Sequence, residues 1–264
     1  MATQTQPAIR RDFVEESWIA KTVNRFLRPL FESARKSSSL IVSDGLRFEV
    51  DGCPFHVPKF MFLGERGGGV PIRAAIFAGF DTLGLNLSIA LAKLVADFEA
   101  RPQASKDYAL FFYPVVNPRS AGPVEFAPDL DRAFWKNSTL PEVWFLESEM
   151  RKLYFQSLIS LRVTPWDEGF ATVHSKFLGD EVVAPSLQEI SHLVNLRSEP
   201  IVVRDRDSAS GRFGPPEGAK PAPFELELNI PLTTSLDDQI EAIDIFTREI
   251  LQNYRRVISH AQDL

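Results

Sequence analysis

Apolar and polar positions alternate with two different periods along the chain, and the pattern changes near residue 72. Over residues 12–34, Phe13, Trp18, Ile19, Val23, Phe26, Leu27, Leu30 and Phe31 approximate one broad face. That is the spacing of an amphipathic helix, here suited to packing on a sheet. Asp12 and Glu15 have capping-box spacing at its start. In "LRFEVDGCPFHV" Leu46, Phe48 and Val50 alternate, and Asp51-Gly52 is a hairpin-turn signal, so this stretch predicts a β-hairpin.

From residue 72 strands and helices take turns. "IRAAIFAGF" is an apolar strand, and "LGLNLSIALAKLVADFEA" has helical apolar spacing. "YALFFYPVV" is continuously apolar, as a strand buried on both faces would be. A helix over 141–156, a strand "LISLRV", a helix "SLQEISHLVNLR" and a strand "PIVVRD" follow. "FELELNI" alternates, and residues 236–260 form a closing helix. This order predicts an α/β fold with a central mixed, largely parallel sheet flanked by helices. We expect one domain over residues 1–264, with the helix and hairpin of residues 1–66 as an N-terminal extension. "RDRDSASGRFGPPEGAKPAP", residues 204–223, is rich in Gly, Pro and charge. A loop of that length is a lid or a disordered excursion, and both readings stand.

Composition narrows the function. The chain has 264 residues, 44% hydrophobic and 24% charged, with a net charge of −6. The acidic balance argues against nucleic acid or an anionic membrane as partner. No apolar run approaches the roughly 18 residues of a membrane span. "MATQTQPAIRRDF" has no apolar h-region, so a cytoplasmic protein is expected. With Cys53 the only cysteine, neither an internal disulfide nor a cysteine-based zinc site can form. Gly67-Gly68-Gly69 lacks the following G-K-[ST] of a P-loop and reads as a turn, and no G-x-S-x-G elbow marks a serine hydrolase.

Several segments in order carry a resemblance. "AAIFAGFDTLG" runs from strand to turn to helix, as at an H-x-x-E junction. "YPVVNPRSAGPVEFAPDLDRAFWKNS" pairs Asn117-Pro118 with Asp129, Leu130, Asp131, Arg132, Ala133 and Phe134, similar to P-x-x-N-P followed by D-L-N-R-x-F. "LISLRVTPWDEGF" is similar to a strand ending in L-H-E that continues toward W-x-x-x-G-F, and "FELELNIP" to a last strand presenting a catalytic Glu. Together these resemble the zinc carboxypeptidase family, especially its succinylglutamate desuccinylase and aspartoacylase branch, over about residues 70–260.

The resemblance implies a zinc site with His, Glu and His ligands and one position open for water. Such a metal lowers the pKa of its water to about 7, and a Glu takes the proton. In this chain the three ligand positions fall on Ala78, Asp81 and Arg162. Alanine has no lone pair to offer, and a guanidinium stays protonated and cannot coordinate. Asp81 could ligate, one methylene short of Glu. Of the four histidines, His56, His174, His192 and His260, only His174 follows a segment near the site, and each reads as an ordinary surface or core residue.

The resemblance places the catalytic Glu at Glu227, or Glu225 by a shift of two, whereas an ungapped match puts Asn229 there. The period of two sets these three on one strand face, read here as solvated. Substrate-binding positions fall on Arg132, Asp131 and Asn117, with Asp131 where the family has Asn. Arg132 is expected to pair with Asp129 or Asp131. No arginine lies between Arg119 and Arg132, and the 204–223 loop has no Tyr. The expectation is a carboxypeptidase-like pseudoenzyme without zinc or another cofactor. It would hold a small anionic or peptide-like ligand or act as an interaction module. Arg162 is expected to supply the charge that the metal would have, against Asp81 and Glu227. The alternative is an active metallocarboxypeptidase or N-acyl amino acid amidohydrolase, with zinc held through an atypical ligand such as His174.

Overall fold

The hairpin comes first because its turn is local. β1 (Leu40–Val50) and β2 (Cys53–Leu63) pair antiparallel, and Asp51 and Gly52 between them have φ of +49° and +75°. Positive φ at both central residues matches strand twist in a two-residue turn. The structure is a computed structural model describing residues 18–67, 69–121, 127–204, 213–216, 218 and 221–262. The predicted capping pair Asp12 and Glu15, and most of the 204–223 loop, lie outside the described residues.

The hairpin continues into one eight-stranded sheet of order β1-β2-β4-β3-β5-β8-β6-β7. Its centre is parallel: β4 (Tyr108–Tyr113), β3 (Ile72–Phe77), β5 (Ser157–Thr164) and β8 (Phe224–Pro231). β2 joins β4 antiparallel, and β6 (Gly169–Val173) joins β8 antiparallel and β7 (Leu196–Val203) in parallel. Every residue of β4 is buried, as its unbroken apolar run requires.

Helices cover the sheet unequally. α1 (Trp18–Ala34), α2 (Leu85–Ala100), α5 (Ala184–Ile190) and α6 (Leu236–Gln262) contribute to the larger core, with Leu91, Leu187 and Phe246 among its buried members. On the other face Val143, Leu146 and Met150 of α3 (Pro141–Leu153) meet Ala75, Phe77 and Leu158. Two departures from the sequence reading stand out. The helix expected at 186–197 begins earlier, as α4 (Lys176–Leu178), a π turn (Gly179–Val183) and α5, and has ended before Leu196 starts β7. Pro185 sits at the first turn of α5, where its missing N–H is tolerated. The second departure is β6, inserted between β7 and β8 by a five-residue segment not expected to be a strand.

From β3 the chain crosses to β4 through α2 on one face, and from β4 to β5 through α3 on the other. β4 and β5 therefore flank β3 in the sheet, and the connections leaving β3 and β4 run over opposite faces. At such a switch point the loops leaving the carboxyl ends of adjacent strands part and open a crevice.

Candidate ligand site at the carboxyl ends of the central strands

The crevice is built by residues leaving β3, β4 and β5. Past the end of β3 the pairing persists: Ala78 N–H donates to Tyr113 O at 3.0 Å, and Asn117 N–H donates to Gly79 O at 2.8 Å. Gly79 then turns the chain with φ +67°, and a Cβ there would lie 2.5 Å from Ser88 Oγ and 3.0 Å from Pro114 O. Only glycine meets both the positive φ and the close approach. The turn puts Phe80 and Asp81 at the crevice, where Asp81 Oδ1 accepts the Gly84 N–H at 2.7 Å, just before α2. Phe80, Asp81, Asn117, Asp129, Asp131 and Arg162 are among the walls of a cavity of about 250 Å3.

Arg162 is the centre of the charge. On β5 it is 8% exposed, stacked 3.4 Å from the centroid of the Phe80 ring. Its Nη1 and Nη2 donate to Asp131 Oδ2 and Oδ1 at 3.0 and 2.6 Å, a bidentate pair. Its Nε is 3.8 Å from Glu227 Oε2, too far for a hydrogen bond, and has no other partner among the described residues. The expected pairing of Arg162 with Asp81 is therefore corrected. Asp81 is turned to the Gly84 N–H just before α2, and Asp131, delivered by the 127–140 segment, takes its place opposite the guanidinium.

The remaining candidates fall around this pair. Glu227 lines β8 beside Ser160, with its Oε1 accepting from Asn229 Nδ2 at 3.1 Å. The face carrying Glu225, Glu227 and Asn229 is not solvated as expected. Glu225 and Asn229 are 6% and 7% exposed, and the backbone of Gly214 lies against the Glu225 carboxylate. A Cβ on Gly214 would lie 2.3 Å from Glu225 Oε2, so the loop backbone rests on that carboxylate. Asn117 is 1% exposed, and its Nδ2 donates to Phe80 O and Pro128 O, both at 3.1 Å. Arg132 faces solvent with Nε 3.1 Å from Asp129 Oδ2.

Two features had no forecast. Phe213 packs edge-on against Phe77, Phe80 and Phe134 at 4.6, 5.0 and 4.9 Å, and its carbonyl accepts from Trp135 Nε1 at 2.9 Å. Phe213 is the one aromatic residue in the 204–223 loop, and a lone Phe in a polar loop is the signal that could have found it. The other is the Phe80 ring under Arg162, a cation–π stack invisible to spacing arguments.

Partial burial, with 43% of the side chain still meeting water, pushes the Asp131 carboxyl up from its ordinary value, against the opposing pull of Arg162. The folded state then holds its proton more tightly than the unfolded chain. The sign follows: ionised Asp131 opposes folding above its raised pKa, and this penalty fades as pH falls through that value. We expect carbon-detected titration to find Asp131 above the exposed carboxylates, and Arg162→Met to raise it further. An unshifted Asp131 would remove the burial argument.

The donor set does not fit zinc. Ala78 is fully buried and offers no donor and Arg162 presents a cation, so of the three positions only Asp81 keeps a group that can ligate. Among the described residues no three of His, Cys, Asp and Glu are grouped to hold a metal ion. His174 Nδ1 is 3.0 Å from Arg204 O and its Nε2 is 3.6 Å from Glu225 Oε2. His56 Nε2 lies 3.2 Å from Asp44 O, and burial lowers its pKa. His192 and His260 are exposed. No described helix is long and apolar enough to cross a membrane.

No protein-family profile and no curated protein matches the sequence. Solved structures do match. A candidate metallopeptidase from Shewanella denitrificans OS217 aligns with TM-score 0.65 at 14% identity, over 94% of this chain and 97% of that one. A metallo-carboxypeptidase from Burkholderia cenocepacia aligns with TM-score 0.67 at 13% identity, over 90% and 69%. Thrombin activatable fibrinolysis inhibitor aligns with TM-score 0.60 at 12% identity, over 88% and 74%. Identities this low speak to architecture alone, and on that architecture this chain has the zinc carboxypeptidase-like fold.

Proposed function

We propose that this chain is a carboxypeptidase-like domain that no longer performs zinc-dependent hydrolysis and uses the crevice to hold a peptide-like ligand. By motif order it stands beside the succinylglutamate desuccinylase and aspartoacylase branch. One observation carries the reading: a buried guanidinium, gripped by Asp131, stands at the end of β5 where the resemblance calls for a histidine ligand. A divalent cation beside it would meet like charge in a poorly screened place. Ala78, which has no donor to offer, adds to the case, since hydrolysis needs three donors and an open position.

The test is metal analysis of protein purified without chelator, then assays on C-terminal amino acids and N-acyl amino acids with zinc added. We expect far less than one equivalent of zinc and no chelator-sensitive turnover. About one equivalent of tightly held zinc, lost in Asp81→Ala together with turnover, would overturn the reading.

A further inference from the structure

The carboxyl ends of β5 and β8 lie side by side, with Thr164 paired to Pro231. The turns that leave them are tied to one residue. Trp166 N–H donates to Thr164 Oγ1 at 3.3 Å, and Leu232 N–H donates to Thr164 O at 2.9 Å. Trp166 is 64% exposed and Leu232 44%, and Leu236, four residues on at the start of α6, is 38% exposed. Single exposed apolar side chains are ordinary, but three on two adjoining turns form a patch. One of them is a tryptophan, which has a large apolar surface to withdraw from water and is over-represented among residues that anchor partners.

Charge on these turns has one sign. Asp167 and Glu168 follow Trp166, Asp237 follows Leu236, and all three are exposed and without an ion-pair partner among the described residues. Neither residues 163–175 nor residues 221–247 include a Lys or Arg. Arg197, at the start of β7, is stacked 3.9 Å from the centroid of the Phe170 ring and makes no ion pair with these acids. Asp238 has a local task in the cap of α6, where its Oδ2 accepts from Ser235 Oγ at 2.6 Å, and Asp237 also complements the helix N-terminus. Asp167 and Glu168 stand on a turn between strands, where no helix end or cation in the chain accounts for them.

We infer that this patch docks a basic segment of a partner protein, one that sets an apolar side chain against Trp166 between flanking Lys or Arg side chains. The occupant follows from the charge. A second copy of this chain in a twofold contact would set the patch against itself, acid against acid. An anionic membrane or a nucleic acid would meet the same repulsion. A cationic segment meets opposite charge beside apolar area, and that complementarity speeds encounter and fixes orientation. The inference goes beyond the crevice reading and does not depend on it, because Trp166, Leu232, Leu236, Asp167, Glu168 and Asp237 are not among the cavity walls.

The test titrates the full chain at low salt with three N-acetylated, amidated hexapeptides, alternating Lys-Leu, Lys-Ser and Glu-Leu, read by calorimetry. The Lys-Leu peptide is expected to bind about tenfold or more tighter than the other two, and to weaken as salt rises. Trp166→Ser changes an exposed turn residue, so the melting temperature should hold while Lys-Leu affinity falls about tenfold. Asp167→Asn with Glu168→Gln should flatten the salt dependence. Lys-Ser binding as tight as Lys-Leu would leave charge alone at work and overturn the inference. Lys-Leu binding that ignores Trp166→Ser would place the contact elsewhere and overturn it too, as would no binding at millimolar concentration. A dimer of the free protein in sedimentation, dissociated by Trp166→Ser, would give the patch to a second copy instead. None of these outcomes bears on zinc, so the crevice reading stands or falls by its own test.

Discussion

Replacing Asp131 by alanine will destabilise the protein more than replacing Arg162 by methionine. The two share one bidentate pair, yet their surroundings differ. The Arg162 side chain is 8% exposed, while Asp131 keeps 43% of its side-chain surface in water. Asp131→Ala strands a buried guanidinium whose Nε already lacks a hydrogen bond and whose nearest other carboxylate is Glu227 at 3.8 Å. Breaking a buried pair in that direction costs about 3–5 kcal/mol. Arg162→Met strands a carboxylate that water can still reach, and keeps an unbranched chain over Phe80, so about 1–3 kcal/mol is expected. Removing both should cost less than the sum, because neither charge is then left alone. Urea unfolding of the four proteins decides the matter. Equal single costs, or additivity within about 0.5 kcal/mol, would mean that the pair does not hold the site together.

Arg119→Met is the other large effect. Arg119 follows Asn117-Pro118, and its Nε donates to Glu142 Oε1 at 2.8 Å. Glu142 is fully buried in the first turn of α3, where a carboxylate also complements the helix N-terminus. Its Oε2 has no hydrogen-bond partner among the described residues. Without the guanidinium an isolated carboxylate remains in the core, at a cost of about 3–5 kcal/mol. Adding Glu142→Leu should recover much of that loss, since an apolar pair of similar volume needs no solvation. The denaturation midpoint should therefore fall in the single variant and return part-way in the double. A loss under about 1 kcal/mol in Arg119→Met would show that water reaches Glu142. The pair ties α3 to the turn after Asn117, so its loss should also loosen the cavity wall.

The parts of the fold that could be read from sequence are those with a strong period. The apolar run of β4 and the helical spacing of α2 and α6 needed no tertiary context. β6 is five residues long, too short for a period to show, and owes its strand state to the partners on either side. At the site, motif order singled out Asn117, Asp131 and Arg162, which line one cavity together with Asp81. Which carboxylate meets Arg162 was not legible. Asp131 arrives from 31 residues away on an irregular segment, and Asp81 is diverted by the backbone N–H of Gly84. The alternation of β8 placed Glu225 and Asn229 on the right face but could not say that Gly214 would close over it.

The charge between β5 and β8 belongs to a side chain, and that changes how the protein meets its environment. A metal centre fills and empties with supply, competes for the wrong ion and must be loaded after synthesis. Arg162 arrives with translation and does not exchange. Its charge survives chelation, metal starvation and any physiological pH. The charge of the crevice is therefore set once, at folding, and does not vary with metal supply.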